Sequence, residues 1–254
     1  KGKILYIDNL NFAPLDIISF IQEATDFGSM TISKAGLNFS ITSFFSTIGI
    51  LNSEKNSTDL KTWRDSLMNI KENFDLVFDF HPMDFIQINQ AINQRMIPLA
   101  VKLLALKPED DVFDAFCGIG NFSLPLATIA RSVLGIEASA SSVLRAGENA
   151  ARNGIKNATF ISADLFAESP AIPGLEDINK VLIDPPRSGA EEVCKKLASH
   201  KVERLVYVSC NPETLARDAK LLVESGYRFE NAGVIDMFPH TNHVESIACF
   251  SYNT

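Results

Sequence analysis

At 254 residues, 46% apolar and 21% charged, the chain is long enough for one large α/β domain with an ample core and a small appendage. It holds no apolar run of membrane-span length and no secretory leader, and it begins at Lys1 rather than Met, so it reads as a piece of a longer cytoplasmic protein. A net charge of −8 argues against a surface that grips nucleic acid by charge alone, and four scattered cysteines without a C-x-x-C pair argue against a disulfide scaffold or structural zinc.

The first apolar segment, Lys3–Ile7, predicts a strand, and Leu15–Phe27 predicts a helix. β-like stretches follow at Met30–Ser33 and Phe39–Phe45, then a polar loop at Asn52–Ser57. Residues 1–80 therefore read as a small α+β subdomain without evident chemistry. Its Phe39, Phe44 and Phe45 are expected in that subdomain's core, not as a stacking platform for bases.

Residues 81–254 change character. A helix over Asn89–Leu104 leads into strand Asp111–Asp114, and strands then alternate with helices: Val133–Glu137, helix Ala140–Asn153, Thr159–Ser162, Val181–Asp184, helix Ala190–Ser199, Leu205–Ser209, helix Pro212–Ser225. Strand material at Val234–Met237 and Ser246–Phe250 closes the chain. That alternation predicts a doubly wound, mainly parallel sheet, whose ligands bind at the carboxyl ends of the strands.

The first of those ends carries Val112-Phe113-Asp114-Ala115-Phe116-Cys117-Gly118-Ile119-Gly120-Asn121. Gly118 and Gly120 allow a tight turn and close backbone approach, and a helix beginning near Asn121 offers free N–H groups. Glu137, about 20 residues on, stands where an acid binds ribose hydroxyls, and Asp164 follows the third strand, within reach of an adenine edge. A bare G-x-G also serves nicotinamide cofactors or simple helix packing. Two details favour S-adenosylmethionine: the third glycine of the dinucleotide motif is absent, and the fourth strand ends in the rigid elbow Asp184-Pro185-Pro186-Arg187.

Two later segments supply a thiol and a carboxylate: Ser209-Cys210-Asn211-Pro212, and Phe238 to Glu245 with His240 and His243 between. Cys210 follows an apolar strand and precedes a helix, a position expected to lower a thiol's pKa. Glu245 opens the last strand and can reach the same edge. A thiol that adds to carbon 6 of uracil and a base that later removes the carbon 5 proton form a complete set for methylating that carbon. The residues alone leave Cys210 open between nucleophile and ordinary strand-end thiol. Cys117, Cys194 and Cys249 read as packing residues. The two histidines read as shaping the loop that orients Glu245, not as metal ligands.

The segments V-F-D-A-F-C-G-I-G-N, D-P-P-R-S-G, V-Y-V-S-C-N-P-E-T-L-A-R-D and D-M-F-P-H-T-N-H-V-E resemble the RNA 5-methyluridine methyltransferases, most of all the branch acting on 23S ribosomal RNA. The resemblance covers about Phe80 to Phe250. It implies a Rossmann-like S-adenosylmethionine-dependent domain with Cys210 as nucleophile and Glu245 as base. It also implies cofactor contacts from Gln87, Phe116, Gly118, Asn121, Glu137, Asp164 and Asp184, with Phe85 and Arg187 on the target side. RNA, of 23S ribosomal origin, is the implied partner. A transfer-RNA uridine is the rival substrate, and an RNA-binding factor on the same scaffold is the non-enzyme alternative. Members of the ribosomal branch often carry an N-terminal TRAM barrel and a four-cysteine iron–sulfur site. With no cysteine before Cys117, this chain cannot build that cluster.

Overall fold

The structure, a computed structural model, describes residues 4–8, 29–34, 37–42, 50–51, 74–237 and 244–252, with side chains from residue 74 onward. The expected helix at Leu15–Phe27 and loop at Asn52–Ser57 lie outside those residues.

The described strands are β1 (Ile4–Asp8), β2 (Ser29–Lys34), β3 (Leu37–Thr42), β4 (Ile50–Leu51), β5 (Asp111–Ala115), β6 (Ser132–Glu137), β7 (Ala158–Ser162), β8 (Lys180–Ile183), β9 (Arg204–Ser209), β10 (Arg228–Ile235) and β11 (Glu245–Ser251). The described α-helices are α1 (Gln90–Leu104), α2 (Ser123–Ala127), α3 (Ala140–Arg152), α4 (Glu191–His200) and α5 (Pro212–Glu224). Nine strands form one sheet in the order β4-β1-β10-β11-β9-β8-β5-β6-β7, and β2–β3 make a separate antiparallel pair. Ile4–Asp8 and Ile50–Leu51 thus extend the main sheet, by β1 lying antiparallel along β10.

Strands β9-β8-β5-β6-β7 run parallel, as the alternating pattern predicts. From β5 the chain winds outward through β6 to β7, then returns to β8 on the other side of β5 and moves on to β9. The reversal leaves a crevice between the carboxyl ends of β5 and β8, where open α/β sheets bind ligands. Strands β10 and β11 complete the sheet antiparallel to their neighbours.

Strand β8 is buried throughout, Lys180 included, and β5 and β11 are buried along their whole length, as strands covered on both faces must be. Side chains alternate between the faces. Phe113, Val181, Ile183, Leu205, Tyr207, Ala248 and Phe250 pack with α4 and α5. Val112, Val133, Leu182, Val206, Val208, Ile247 and Cys249 pack under α1 and α2.

Local chemistry sets the helix ends. Asn89 caps α1 by accepting from the Ile92 N–H, Ser139 caps α3 through the Ser142 N–H, and Asn211 caps α5 ahead of Pro212 in the first turn. Two expectations need correction. The helix expected near Asn121 begins at Ser123 and spans five residues. The strand expected at Val234–Met237 begins at Arg228 and ends at Ile235, because β11 and β1 on its two sides satisfy a segment that reads as polar loop.

No helix among the described residues is long and apolar enough to cross a membrane.

Candidate active site

Strand alternation itself assembles the site. Glu137 shares the parity of Val133, Asp114 that of Val112, Asp184 that of Leu182, and Cys210 that of Val206 and Val208, all on the α1 face. β11 runs the other way, so its first residue reaches the same edge. Ser246 pairs with Ser209 in the last rung of the ladder, and just beyond it Glu245, on the face of Ile247 and Cys249, lies near enough to Cys210 for its charge to act on the thiol.

The result is a thiol among carboxylates. Glu245 is 4% exposed, and burial pushes its carboxyl up to about 7. Its Oε2 accepts no hydrogen bond among the described residues. Asp184 stands well above the carboxylate range, through burial and then the charge of Glu245. Burial raises the Cys210 thiol, Glu245 and Asp184 raise it further, and Arg187 works against them. The expectation that the helix start lowers this thiol is therefore overturned: crowding and two acids outweigh the ends of α5. Cys210 is nevertheless half-exposed, whereas Cys117, Cys194 and Cys249 are buried, as the packing reading has them.

Helix α5 grips the elbow after β8 with one face. Asn211 donates its amide to the Arg187 carbonyl at 3.0 Å, and the Thr214 hydroxyl reaches the same oxygen at 3.3 Å. Arg217 donates to the Ser188 carbonyl at 3.0 Å. Asp218, fully buried, accepts from the Ala190 N–H and the Tyr207 hydroxyl, each at 2.7 Å. Gly189 has φ +79° there, and a Cβ on it would lie 2.6 Å from Arg217 and 2.7 Å from Asp218. The loop that carries Asp184 and Arg187 is thus fixed relative to Cys210.

The glycine turn lies on the other side of the crevice. Phe116 adopts a left-handed backbone, φ +64°, uncommon for a bulky residue, and its ring sits 5.4 Å from that of Phe166. Glu137 accepts from Ser139 N–H at 2.9 Å and Gly118 N–H at 3.3 Å, which ties β6 to the turn. A Cβ on Gly118 would meet nothing within 4 Å, so open space lies beside it, while one on Gly120 would strike Leu124. Asp164 is exposed and accepts from the Phe166 N–H at 2.8 Å. Asn121 is engaged elsewhere: its amide and that of Asn93 on α1 exchange hydrogen bonds at 2.8 and 3.1 Å.

The structure brings Cys210, Glu245, Asp184 and Arg187 together, and Phe116, Gly118 and Glu137 together beside them. It does not place Phe85 or Gln87 in hydrogen-bond contact with either group among the described residues. Phe85 is 76% exposed, and the segment is anchored by Asn89, which donates to the Met237 carbonyl at 3.0 Å. His240 and His243 lie outside the described residues.

Sequence reasoning missed Asp114. It is fully buried, accepts from the Ser123 hydroxyl through Oδ2, and leaves Oδ1 without a partner. Burial, opposed by Ser123 and reinforced by Asp184 and Glu137, pushes it up to about 7. An acid flanked by the apolar Phe113 and Ala115 within a buried strand was the available signal. Phe166 and Asn93 carried none.

Comparison with known proteins gives a consistent picture. A family model described as tRNA (Uracil-5-)-methyltransferase matches residues 48–251. The 23S rRNA (uracil(1939)-C(5))-methyltransferase RlmD of Xanthomonas axonopodis is 53% identical over 179 residues, 70% of this chain and 40% of that protein. The protein of the same description from Psychrobacter arcticus is 52% identical over 181 residues, 70% of this chain and 35% of its own length. The chain thus spans about two fifths of the length of the curated relatives it matches. Among solved structures, the Pyrococcus abyssi tRNA (uracil-54, C5)-methyltransferase in complex with S-adenosyl-L-homocysteine superposes with TM-score 0.61 at 32% identity, over 70% of this chain and 42% of that one. The precorrin-6y C5,15-methyltransferase of Geobacter metallireducens shares the fold, with TM-score 0.54 at 16% identity over 70% and 94% of the two chains.

Proposed function

Because this chain belongs to the tRNA (uracil-5-)-methyltransferase family, we propose that it transfers a methyl group from S-adenosylmethionine to carbon 5 of a uridine in RNA, through a thiol adduct at carbon 6. The observation that carries this reading is the approach of Cys210, at the end of the β9–β11 ladder, to buried Glu245, whose Oε2 accepts no hydrogen bond among the described residues. A pure RNA binder has no use for that pair.

The residues present suit the cofactor. Open space beside Gly118, whose N–H donates to Glu137, suits an adenosine. The acids Asp114 and Asp184 at the switch point suit a cation, and Asp114 Oδ1 is unpartnered there. Bound at this place, the cofactor supplies an electrophilic methyl carbon to the activated ring.

The chain's own groups do the rest. Cys210, its thiol proton released to solvent, forms a bond through sulfur to carbon 6 as the 5,6 double bond opens, and carbon 5 becomes nucleophilic. Glu245 then accepts the carbon 5 proton, and the sulfur–carbon bond breaks to restore the double bond. A carboxyl held at about 7 suits this task, since it is basic enough to take the proton yet ionised in part at neutral pH. Arg187 offsets the acids around the thiol. The target base is presented unstacked, since a stacked uracil hides both ring faces.

The relatives above 50% identity favour 23S ribosomal RNA as the substrate. The family's description and the Pyrococcus structure favour a transfer-RNA uridine as the second reading. The same reading divides the chain near residue 80 into a small N-terminal part and a catalytic domain, and places the protein in the cytoplasm.

The test incubates the full-length protein with S-adenosylmethionine and either 23S ribosomal RNA or transfer RNA, followed by denaturing electrophoresis. Glu245→Gln still adds to the ring but lacks the base, a loss of ~10²–10⁴ in rate, so a covalent protein–RNA species accumulates. Cys210→Ala forms no adduct and transfers no methyl group. Normal turnover by Glu245→Gln, or an adduct with Cys210→Ala, reverses the assignment.

A further inference from the structure

Residues 74–80 form no regular element, but Phe74, Leu76 and Phe78 are half-buried and Asp75, Val77 and Asp79 exposed, the alternation of a strand. No strand pairs with them among the described residues. Two side chains of α3 and its end take the place of a neighbouring strand. Asn153 accepts from the Val77 N–H at 2.9 Å and donates to the Val77 carbonyl at 2.8 Å. One helical turn earlier, Asn149 treats Asp79 in the same way, at 2.8 and 3.1 Å.

The repeats of the two elements match. Two residues of extended chain advance ~6.6–6.8 Å and four residues of helix ~6.0 Å, so an i, i+4 pair of asparagines meets alternate residues of a strand. A carboxamide offers an acceptor and two donors side by side, and only one orientation of it serves both an N–H and a carbonyl. The same helix continues the grip with charge: Arg152 pairs with Asp79, and Arg145 lies 3.6 Å from Asp84.

Asn149 makes one more bond. It is fully buried, and its amide also donates to the Ile119 carbonyl at 3.2 Å, inside the glycine turn. One side chain therefore joins the turn to the extended segment, which continues through the His81–Asp84 turn to Phe85, Gln87 and the Asn89 cap of α1.

We infer that Asn149 and Asn153 are positioning residues, which seat residues 77–84 as a strap beside the glycine turn and so couple cofactor binding at that turn to the order of the strap. The inference rests on the cofactor reading above. It reaches beyond it by assigning the coupling to side chains outside both halves of the site. Binding at the turn steadies the strap, and a seated strap tightens binding, by the same factor in each direction.

The experiment measures S-adenosylhomocysteine affinity by calorimetry and amide hydrogen exchange by mass spectrometry or NMR, in the full-length protein. Asn153→Ala speeds exchange at Val77 and Asp79, leaves the amides of β5 and β8 protected, and weakens binding about tenfold. Asn149→Ala has the larger effect, and if that variant does not fold, the half-exposed Asn153 carries the test. Unchanged affinity in an Asn153→Ala protein whose strap amides exchange freely overturns the coupling. Failure of the wild type to bind overturns instead the cofactor reading on which it stands.

Discussion

Glu245 is kept in a state that favours chemistry at a cost in stability. Burial pushes its carboxyl up to about 7 in the folded protein, against about 4.3 for a free glutamate. Between those values the folded state holds the proton more tightly than the unfolded chain, so stability falls as pH rises through that window and stays reduced above about 7. Glu245→Gln removes this dependence. Urea denaturation is expected to show the variant more stable than wild type by on the order of 2–3 kcal/mol at pH 8, and nearly equal to it at pH 4. Arg187→Ala has the opposite character. It removes the cation that opposes the acids around Cys210, so the thiol rises further, and alkylation by iodoacetamide at pH 7.5 slows. The identity of both catalytic candidates was legible in their segments, but the sign of the thiol's shift was not. That sign depends on acids from β8 and β11, and no local pattern reveals that they converge on the thiol.

At the scale of elements, α5 and the elbow after β8 act as one piece. Asp218 accepts from two neighbours at 2.7 Å while wholly buried, so its removal strands both a backbone N–H and a tyrosine hydroxyl. Asp218→Ala is expected to cost about 3 kcal/mol in a thermal or urea unfolding measurement. Gly189→Ala is expected to be destabilising too, through its left-handed backbone and the missing room beside Asp218. Helix limits were readable to within about two residues, because caps such as Asn89, Ser139 and Asn211 are written locally. β10 was not. Arg228, Glu230 and Asn231 give its first half the look of a loop, and only the strands on either side make it part of the sheet. The asparagine strap was equally hidden, since Asn149 and Asn153 read as ordinary helix-surface residues until residues 77–79 are laid against them.

For the whole molecule, alternation of strands and helices was enough to predict a parallel, doubly wound sheet. The order of strands, the antiparallel return of β11 and the attachment of β1 and β4 depend on contacts distant in sequence, which leave no periodic trace. The crevice opened by that order sits beside both layers of the core. A ligand filling it should stabilise the domain as a unit. Under the cofactor reading, S-adenosylhomocysteine at a hundred times its dissociation constant is expected to add about 2.7 kcal/mol to the unfolding free energy and roughly 5–10 °C to the melting temperature. A calorimetric scan that shows no shift at that concentration contradicts binding to the folded state.

The rung shared by Ser209 and Ser246 has a consequence for how this chain can vary in length. The spacing of Cys210 and Glu245 is set across two hydrogen-bonded strands and owes nothing to the amount of chain between them. The loops before and after β10 can gain or lose residues while the pair stays in place. A single residue gained within β9 or β11 is different: it shifts the carboxylate by ~3.4 Å and turns it to the opposite face of the sheet, away from the thiol. Insertions are therefore tolerated in the loops between the two residues, but not in the paired strands or in α5, whose grip on the elbow they would turn away.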